Sequence, residues 1–290
     1  MKPPGVGRGL LLTVLLGCAS GQASGPEPRP PTHEERARYP WLTDARPIRP
    51  LAEALPPPGG FTRVPLEADS FGAWLRGLPL RPAGAPVRDF RGQELLVAGQ
   101  HEALAAVAEL DVGRVDLQQC ADLLIRLHAE WLWSRGQRER IAYRFTSGDL
   151  ASWPRYAAGE RPRVVGSKVT WSQGAPADDS RAAFQRYLTL VFTYAGTLSL
   201  AAGTQRPSRE DVRPGDFFVL GGSPGHTVMV LDVARDAKGR RVALIGQGFT
   251  PAQDFHVLSP GQGGPWFPLE GDLVATPFWK PFPWSSLRRW

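Results

Sequence analysis

Leu117, Cys120, Leu124, Leu127 and Trp131 recur three or four positions apart, the spacing of one helical face, and predict a helix over 116–135. Asp116 and Gln119 stand three apart at its start in a pattern like a capping box, which puts Cys120 in the first turn. A second stripe, including Phe184, Tyr187, Val191, Ala195 and Leu198, predicts a helix over 180–202 with Gly203 as its stop. A short helix is expected over 70–77, with strands near 87–90 and 94–98. Beyond Gly203 the pattern changes to strands at 216–220, 226–233, 242–247 and 255–258, separated by Pro214-Gly215, Gly221-Gly222 and Lys238-Gly239. In the 226–233 strand Val228 and Val230 share the side of His226, while Thr227, Met229 and Leu231 take the other. That strand therefore reads as buried on both faces. Helices first and antiparallel strands afterwards imply an α+β fold.

The N-terminus follows other rules. Lys2 and Arg8 precede the apolar run Leu10–Leu16, which is too short for a permanent membrane span and is followed by small residues, as in a bacterial export signal. Leu15-Leu16-Gly17-Cys18 also resembles a lipobox, whose cysteine is acylated and becomes the new N-terminus; plain secretion with Cys18 discarded is the alternative. Gly25-Pro26-Glu27-Pro28-Arg29-Pro30-Pro31 carries little to bury; Tyr39, Trp41, Leu42, Ile48 and Leu51 could begin packing against the domain, and Pro56-Pro57-Pro58-Gly59-Gly60 then interrupts once more. The expected organisation is a signal peptide over 1–17 ending at the lipobox Cys18, a disordered Pro-rich tether over 18–60, and one domain over 61–290. The expected location is the bacterial cell envelope, in the outer membrane or periplasm, with membrane attachment through the N-terminal lipid.

Composition narrows the chemistry. At 290 residues and 42% hydrophobic content the chain can bury a full core. The net charge is +6, and Lys2 and Arg8 lie in the leader, which leaves +4 for the rest. The arginines are scattered and no basic cluster interleaves with aromatics, so no nucleic-acid partner is expected. Of two cysteines, Cys18 is removed or acylated on export. Cys120 is then a solitary thiol with no disulfide to make.

A thiol at a helix N-terminus meets free amides that favour its thiolate and that can later hold an oxyanion. Cys120 is thus the candidate nucleophile, although its place on the apolar stripe equally suits a buried core residue. His226 opens a strand after the Gly-rich Gly221–Gly225 and is the candidate base, with a structural histidine as the competing reading. Gln247, ending the next strand, is placed to orient the imidazole; Gln253, Asp254 and His256 are alternatives for that role. Gln119 or, failing it, Gln118 is the side-chain candidate for an oxyanion, and Gln253 is a further cleft candidate. Thr146, Ser147 and Gly148 are weaker cleft candidates, and Trp153 and Trp171 are weak candidates for glycan platforms. Cys120, His226 and His256 are the conceivable metal ligands, but no close-spaced pair supports a metal, and no phosphate-cradling loop is present. No cofactor is expected.

Arg213-Pro214-Gly215-Asp216-Phe217-Phe218-Val219, running through a Gly-rich turn to His226, resembles the stretch before the catalytic-histidine strand of NlpC-like peptidases. Cys120, in Gln118-Gln119-Cys120-Ala121-Asp122, lacks their usual Asp-Cys-Ser-Gly setting. Together with Phe145-Thr146-Ser147-Gly148, Pro224-Gly225-His226 and 247–256, that pentapeptide looks like a bacterial domain-of-unknown-function family numbered 4846, whose members are exported and often lipid-anchored. The NlpC resemblance implies a papain-like fold with the Cys helix packed on an antiparallel sheet. It also implies a cysteine hydrolase of the amidase or peptidase class acting through Cys120, His226 and Gln247, with peptide or peptidoglycan-type substrates. A non-catalytic envelope binding protein of the same shape, with Cys120 inert, is the alternative.

Overall fold

Apolar residues on both alternating sets make the segment after Gly225 an eleven-residue strand that must be covered twice. The computed structural model describes Met1 and residues 27–42, 46–97, 101–261 and 263–290; most of the leader, together with Cys18, lies outside them. In chain order its principal elements are α1 (His33–Arg38), α2 (Leu51–Ala54), β1 (Phe61–Arg63), α3 (Phe71–Arg76), β2 (Leu104–Val107), α4 (Cys120–Ser134), α5 (Arg181–Tyr194), α6 (Thr197–Gly203), β3 (Phe217–Leu220), β4 (His226–Asp236), β5 (Arg241–Gln247), β6 (His256–Leu258), β7 (Trp266–Pro268) and β8 (Leu287–Arg288). The fold is α+β. Its main sheet is antiparallel in the order β8-β3-β4-β5-β6-β2, with β1 added to β4 and β7 to β5.

The two faces of β4 belong to two hydrophobic clusters. Met229, Leu231 and Ala234 pack with Leu123, Leu124 and Leu127 of α4, whereas Val228, Val230 and Val233 pack with Phe218, Ile245 and Phe282. The register with β5 shifts between Val230 and Asp232, a bulge that brings Asp232 onto the α4 side. There, with no solvent exposure, Asp232 accepts from Arg63 Nε at 2.6 Å and from Arg76 Nε and Nη2 at 2.9 and 2.8 Å. One carboxylate thereby ties β1 and α3 to the central strand.

The structure corrects three expectations. Residues 27–60 are not all tether: α1 carries a Thr32–Glu35 capping box, and Tyr39, Ile48 and Leu51 are buried. The Tyr39 hydroxyl donates to Trp74 O at 2.8 Å, and a Cβ on Gly77 would stand 2.4 Å from that hydroxyl oxygen. The rings of Tyr39, Trp41 and Trp74 pack together, so aromatic burial folds this segment despite its prolines. Second, the 180–202 helix is broken: α5 ends at Tyr194, and a new start at Gly196, whose N–H donates to Ser199 Oγ at 3.0 Å, leaves Leu198 48% exposed. Third, the strands near 87–90 and 94–98 shorten to Val87–Arg88 and Glu94–Leu96. The hairpin Glu160–Val165 with Lys168–Gln173, turning at Gly166 with φ +60°, had no clear signature in the sequence.

Replacing Asp232 by Ala is expected to destabilise the fold by about 3 kcal/mol, the low end of what breaking a buried pair costs, because both arginines keep some contact with water. Urea denaturation of wild type and Asp232→Ala reads the difference; equal midpoints at equal slope would remove Asp232 as a structural tie.

Candidate functional site

Helix α4 starts at Cys120 with Gln119 as N-cap, one turn later than the pattern suggested. The Gln119 N–H donates to Asp122 Oδ2 at 3.1 Å, so Asp122 supplies the capping carboxylate. Asp116 has a different task. Its Oδ1 accepts from Gln119 Nε2 at 3.0 Å and from Ala252 N–H at 2.7 Å, while Thr250 Oγ1 donates to Gln119 Oε1 at 3.1 Å. This clamp holds the chain leaving β5 against the start of α4. Gly248 lets the two meet, because a Cβ there would stand 2.3 Å from Leu123 Cδ1.

The Cys120 side chain is buried, with 7% exposure. The backbone N–H groups of Thr227, Ala121 and Cys120 favour its thiolate, but burial outweighs them and, with the nearby Asp122 carboxylate, pushes the thiol up to about 11. The expectation that the helix terminus activates this thiol is not met at rest. Asp122 is itself pushed up to about 7 by burial, and among the described residues its Oδ1 has no hydrogen-bond partner.

His226 and Gln247 do meet. His226 Nε2 and Gln247 Oε1 are 2.7 Å apart, Gln247 Nε2 lies 3.3 Å from His256 Nε2, and His256 Nδ1 lies 2.9 Å from the Asp254 carbonyl oxygen. That carbonyl can only accept, so His256 Nδ1 carries the hydrogen and its Nε2 is the acceptor. Gln247 then donates through Nε2 and accepts through Oε1, which places the His226 proton on Nε2. Burial holds both histidines neutral, lowering each to about 4, so His226 Nδ1 keeps a free lone pair. The network assigns one tautomer to His226, and it is the one a proton acceptor at Nδ1 requires.

The thiol and the imidazole are neighbours through the backbone. Cys120 rides on α4, on one face of the sheet; His226 shares the opposite side of β4 with Val228 and Val230, next to Phe249 and Trp279 at ring distances of 4.9 and 5.0 Å. The sulfur reaches the strand at the amide of Thr227, the residue after His226. Among the described residues no hydrogen bond joins the Cys120 sulfur to the His226 ring.

The remaining candidates fall elsewhere. Gln118 Oε1 accepts from Arg126 Nη1 at 2.7 Å, and the Gln119 amide donates to Asp116 and accepts from Thr250 in the clamp. Gln253 donates to Pro251 O within its own loop. The Asp254 carboxylate is held by Arg81 at 2.7 and 3.0 Å, so Asp254 serves the relay only through its carbonyl. His256 proves to be the third member of the relay, a role visible only once β5 and β6 are in register. Thr146 and Ser147 line a small cavity, and Trp153 is buried core rather than a platform. Trp171 is partly buried, under the Arg155 guanidinium. Among the described residues no group of three or more His, Cys, Asp and Glu could hold a metal ion.

The relay makes a spectroscopic prediction. In ¹⁵N-labelled protein His226 should show a protonated Nε2 and an unprotonated Nδ1 throughout pH 5.5–8, because its lowered pKa lies below that window. Gln247→Ala should mix the tautomers. An Nδ1–H tautomer in the wild type would overturn the hydrogen-bond directions.

No curated protein and no solved structure matches the chain. A family model described as "Domain of unknown function (4846)" does match, over residues 51–289, which takes in the central sheet, α4 and every member of the relay, and the chain belongs to that family.

Proposed function

We propose that this protein is an exported cysteine hydrolase of the amidase or peptidase class, with a papain-like (NlpC-like) arrangement of helix and sheet and peptide bonds of cell-wall type as substrate. The supporting observation is the one-directional relay from the Asp254 carbonyl to His226, which leaves the lone pair of Nδ1 free on the residue next to Thr227, whose amide meets the Cys120 sulfur. In the reaction the sulfur bonds to the substrate carbonyl carbon as its proton passes to His226 Nδ1. The amides of Cys120 and Ala121 stabilise the oxyanion. Collapse breaks the C–N bond with return of the proton to the leaving amine; water, deprotonated by His226, then attacks the thioester, and as the C–S bond breaks the proton passes from His226 to the Cys120 sulfur. The resting pair is neutral, so proton transfer accompanies attack rather than preceding it. The imidazole must also turn toward the sulfur, which means displacing the Phe249 and Trp279 rings packed on it.

Burial of Cys120 and its raised pKa favour a second reading, a non-catalytic envelope binding protein in which Cys120 is core. The two readings separate on one pair of measurements. For the hydrolase, Cys120→Ala abolishes release of amino groups from purified peptidoglycan, and His226→Ala slows iodoacetamide labelling of Cys120 at pH 7–8 by tenfold or more. Release that survives Cys120→Ala, or identical labelling profiles rising only toward pH 11 with and without His226, would rule the hydrolase out.

Attachment of the exported chain to the membrane through Cys18 is part of the proposal and rests on Leu15-Leu16-Gly17-Cys18. Labelled palmitate should enter the wild type and not Cys18→Ala; equal labelling of the two would point to plain secretion.

A further inference from the structure

A cavity of about 780 Å³ opens on the far side of α4 from its N-terminus, and none of Cys120, His226 and Gln247 lines it. His128 and Trp131, on its wall, stand roughly 12–17 Å along the helix axis from Cys120. Its volume falls in the range of small-molecule sites. The turn Pro214-Gly215-Asp216, noted in the sequence as a motif before the His226 strand, forms part of this wall. A Cβ on Gly215, at φ +98°, would stand 2.8 Å from Phe71 Cδ1, so glycine lets the turn close against α3.

The lining combines flat rings with unspent positive charge. His128 stacks on Trp290 at 4.5 Å and 9°, and Phe71 lies 5.3 Å from Trp131. Arg140, Arg144, Arg213 and Arg289 stand against Glu67 and Asp216. Arg213 is paired with Asp211, and Arg289 with Asp211 and Asp216. Arg140 donates to Gln137 Oε1 and Arg144 to Gly148 O; among the described residues neither meets a carboxylate. The Arg140 charge reaches inside, since burial and then its guanidinium hold His128 down at about 3. His128 Nδ1 is engaged by the Tyr143 hydroxyl at 2.9 Å, while its Nε2 makes no hydrogen bond among the described residues. Flat apolar walls, a neutral polar nitrogen and two guanidinium groups without carboxylates specify a ligand with matching parts.

We infer that this cavity is a second binding site, separate from the thiol site, for a small ring compound carrying a carboxylate or phosphate: the ring lies among Phe71, Trp131 and Trp290, and Arg140 and Arg144 take the anion. Aromatic acids and acidic sugars share that chemistry. Titration of the full protein with 2-naphthoate and with glucuronate, followed by tryptophan fluorescence and calorimetry, distinguishes them. The expected result is saturable binding of at least one acid, at least tenfold tighter than its uncharged counterpart, 2-naphthalenemethanol or glucose. The double variant Arg140→Gln/Arg144→Gln, at exposed positions that do not carry the fold, should weaken the acid by tenfold or more. Cys120→Ala should leave its affinity unchanged, which keeps the outcome independent of the hydrolase reading. Absence of saturation with both acids, equal binding of the uncharged counterparts, or full affinity in the double arginine variant would each overturn the inference.

Discussion

A strand with water on neither face must be covered from both sides, and β4 imposes that demand on the rest of the molecule. Helix α4 covers one side; Phe218 of β3 and the segment bearing Phe282 cover the other. Apolar area removed from water is the dominant favourable term in such an arrangement, and neither cover can be withdrawn without exposing a row of aliphatic side chains. The polar elements of β4 sit where this cover permits them. Asp232 lies at the bulge with two arginines, and His226 lies at the end, where the Gly-rich turn gives way to the sheet.

The same burial decides the electrostatics of the candidate site. A helix N-terminus favours an anion by about 0.3–2 kcal/mol, whereas an uncompensated charge taken out of water costs several. Cys120 has amides aimed at its sulfur and, among the described residues, no cationic partner, and burial wins. The imidazoles of His226 and His256 obey the same rule in the other direction and stay neutral, which suits the relay, because a neutral histidine can donate at one nitrogen and accept at the other. A buried polar chain of this kind is tolerable because each of its links has a partner. Among the described residues no hydrogen bond links sulfur and imidazole at rest, and the rings of Phe249 and Trp279 pack on the histidine.

Much of the sheet and both faces of β4 were legible in the sequence, because alternation of side chains along a strand needs no knowledge of its partners. The pairing of His226 with Gln247 was legible in part: one opens a strand and the other closes the next. Extension of the relay to His256 was not, since a register between β5 and β6 brings them together and Asp254 enters only through its backbone. The Asp116–Gln119 spacing was read as a helix cap and turned out to clamp a loop from 136 residues further along the chain. Local spacing cannot tell a cap from a clamp when the second partner is that distant. Tyr39 was legible as a residue able to begin packing against the domain, but not its partner, because its proline-rich surroundings argue for a tether and Trp74 lies far along the chain.

By itself the sequence determined the α+β class, the two-faced burial of β4, the start of a helix near Cys120 and the residues able to do thiol chemistry. These follow from periodicity and composition, which act over a few residues at a time. Tertiary structure alone decided that the thiol is buried and protonated, that His226 holds one tautomer, and that the opposite end of the same helix borders a cavity with unspent guanidinium groups. The reason is physical: solvation, tautomer and charge at a side chain depend on everything packed around it, and Cys120 meets Thr227, and His226 meets Gln247 and Trp279, only when distant parts of the chain come together.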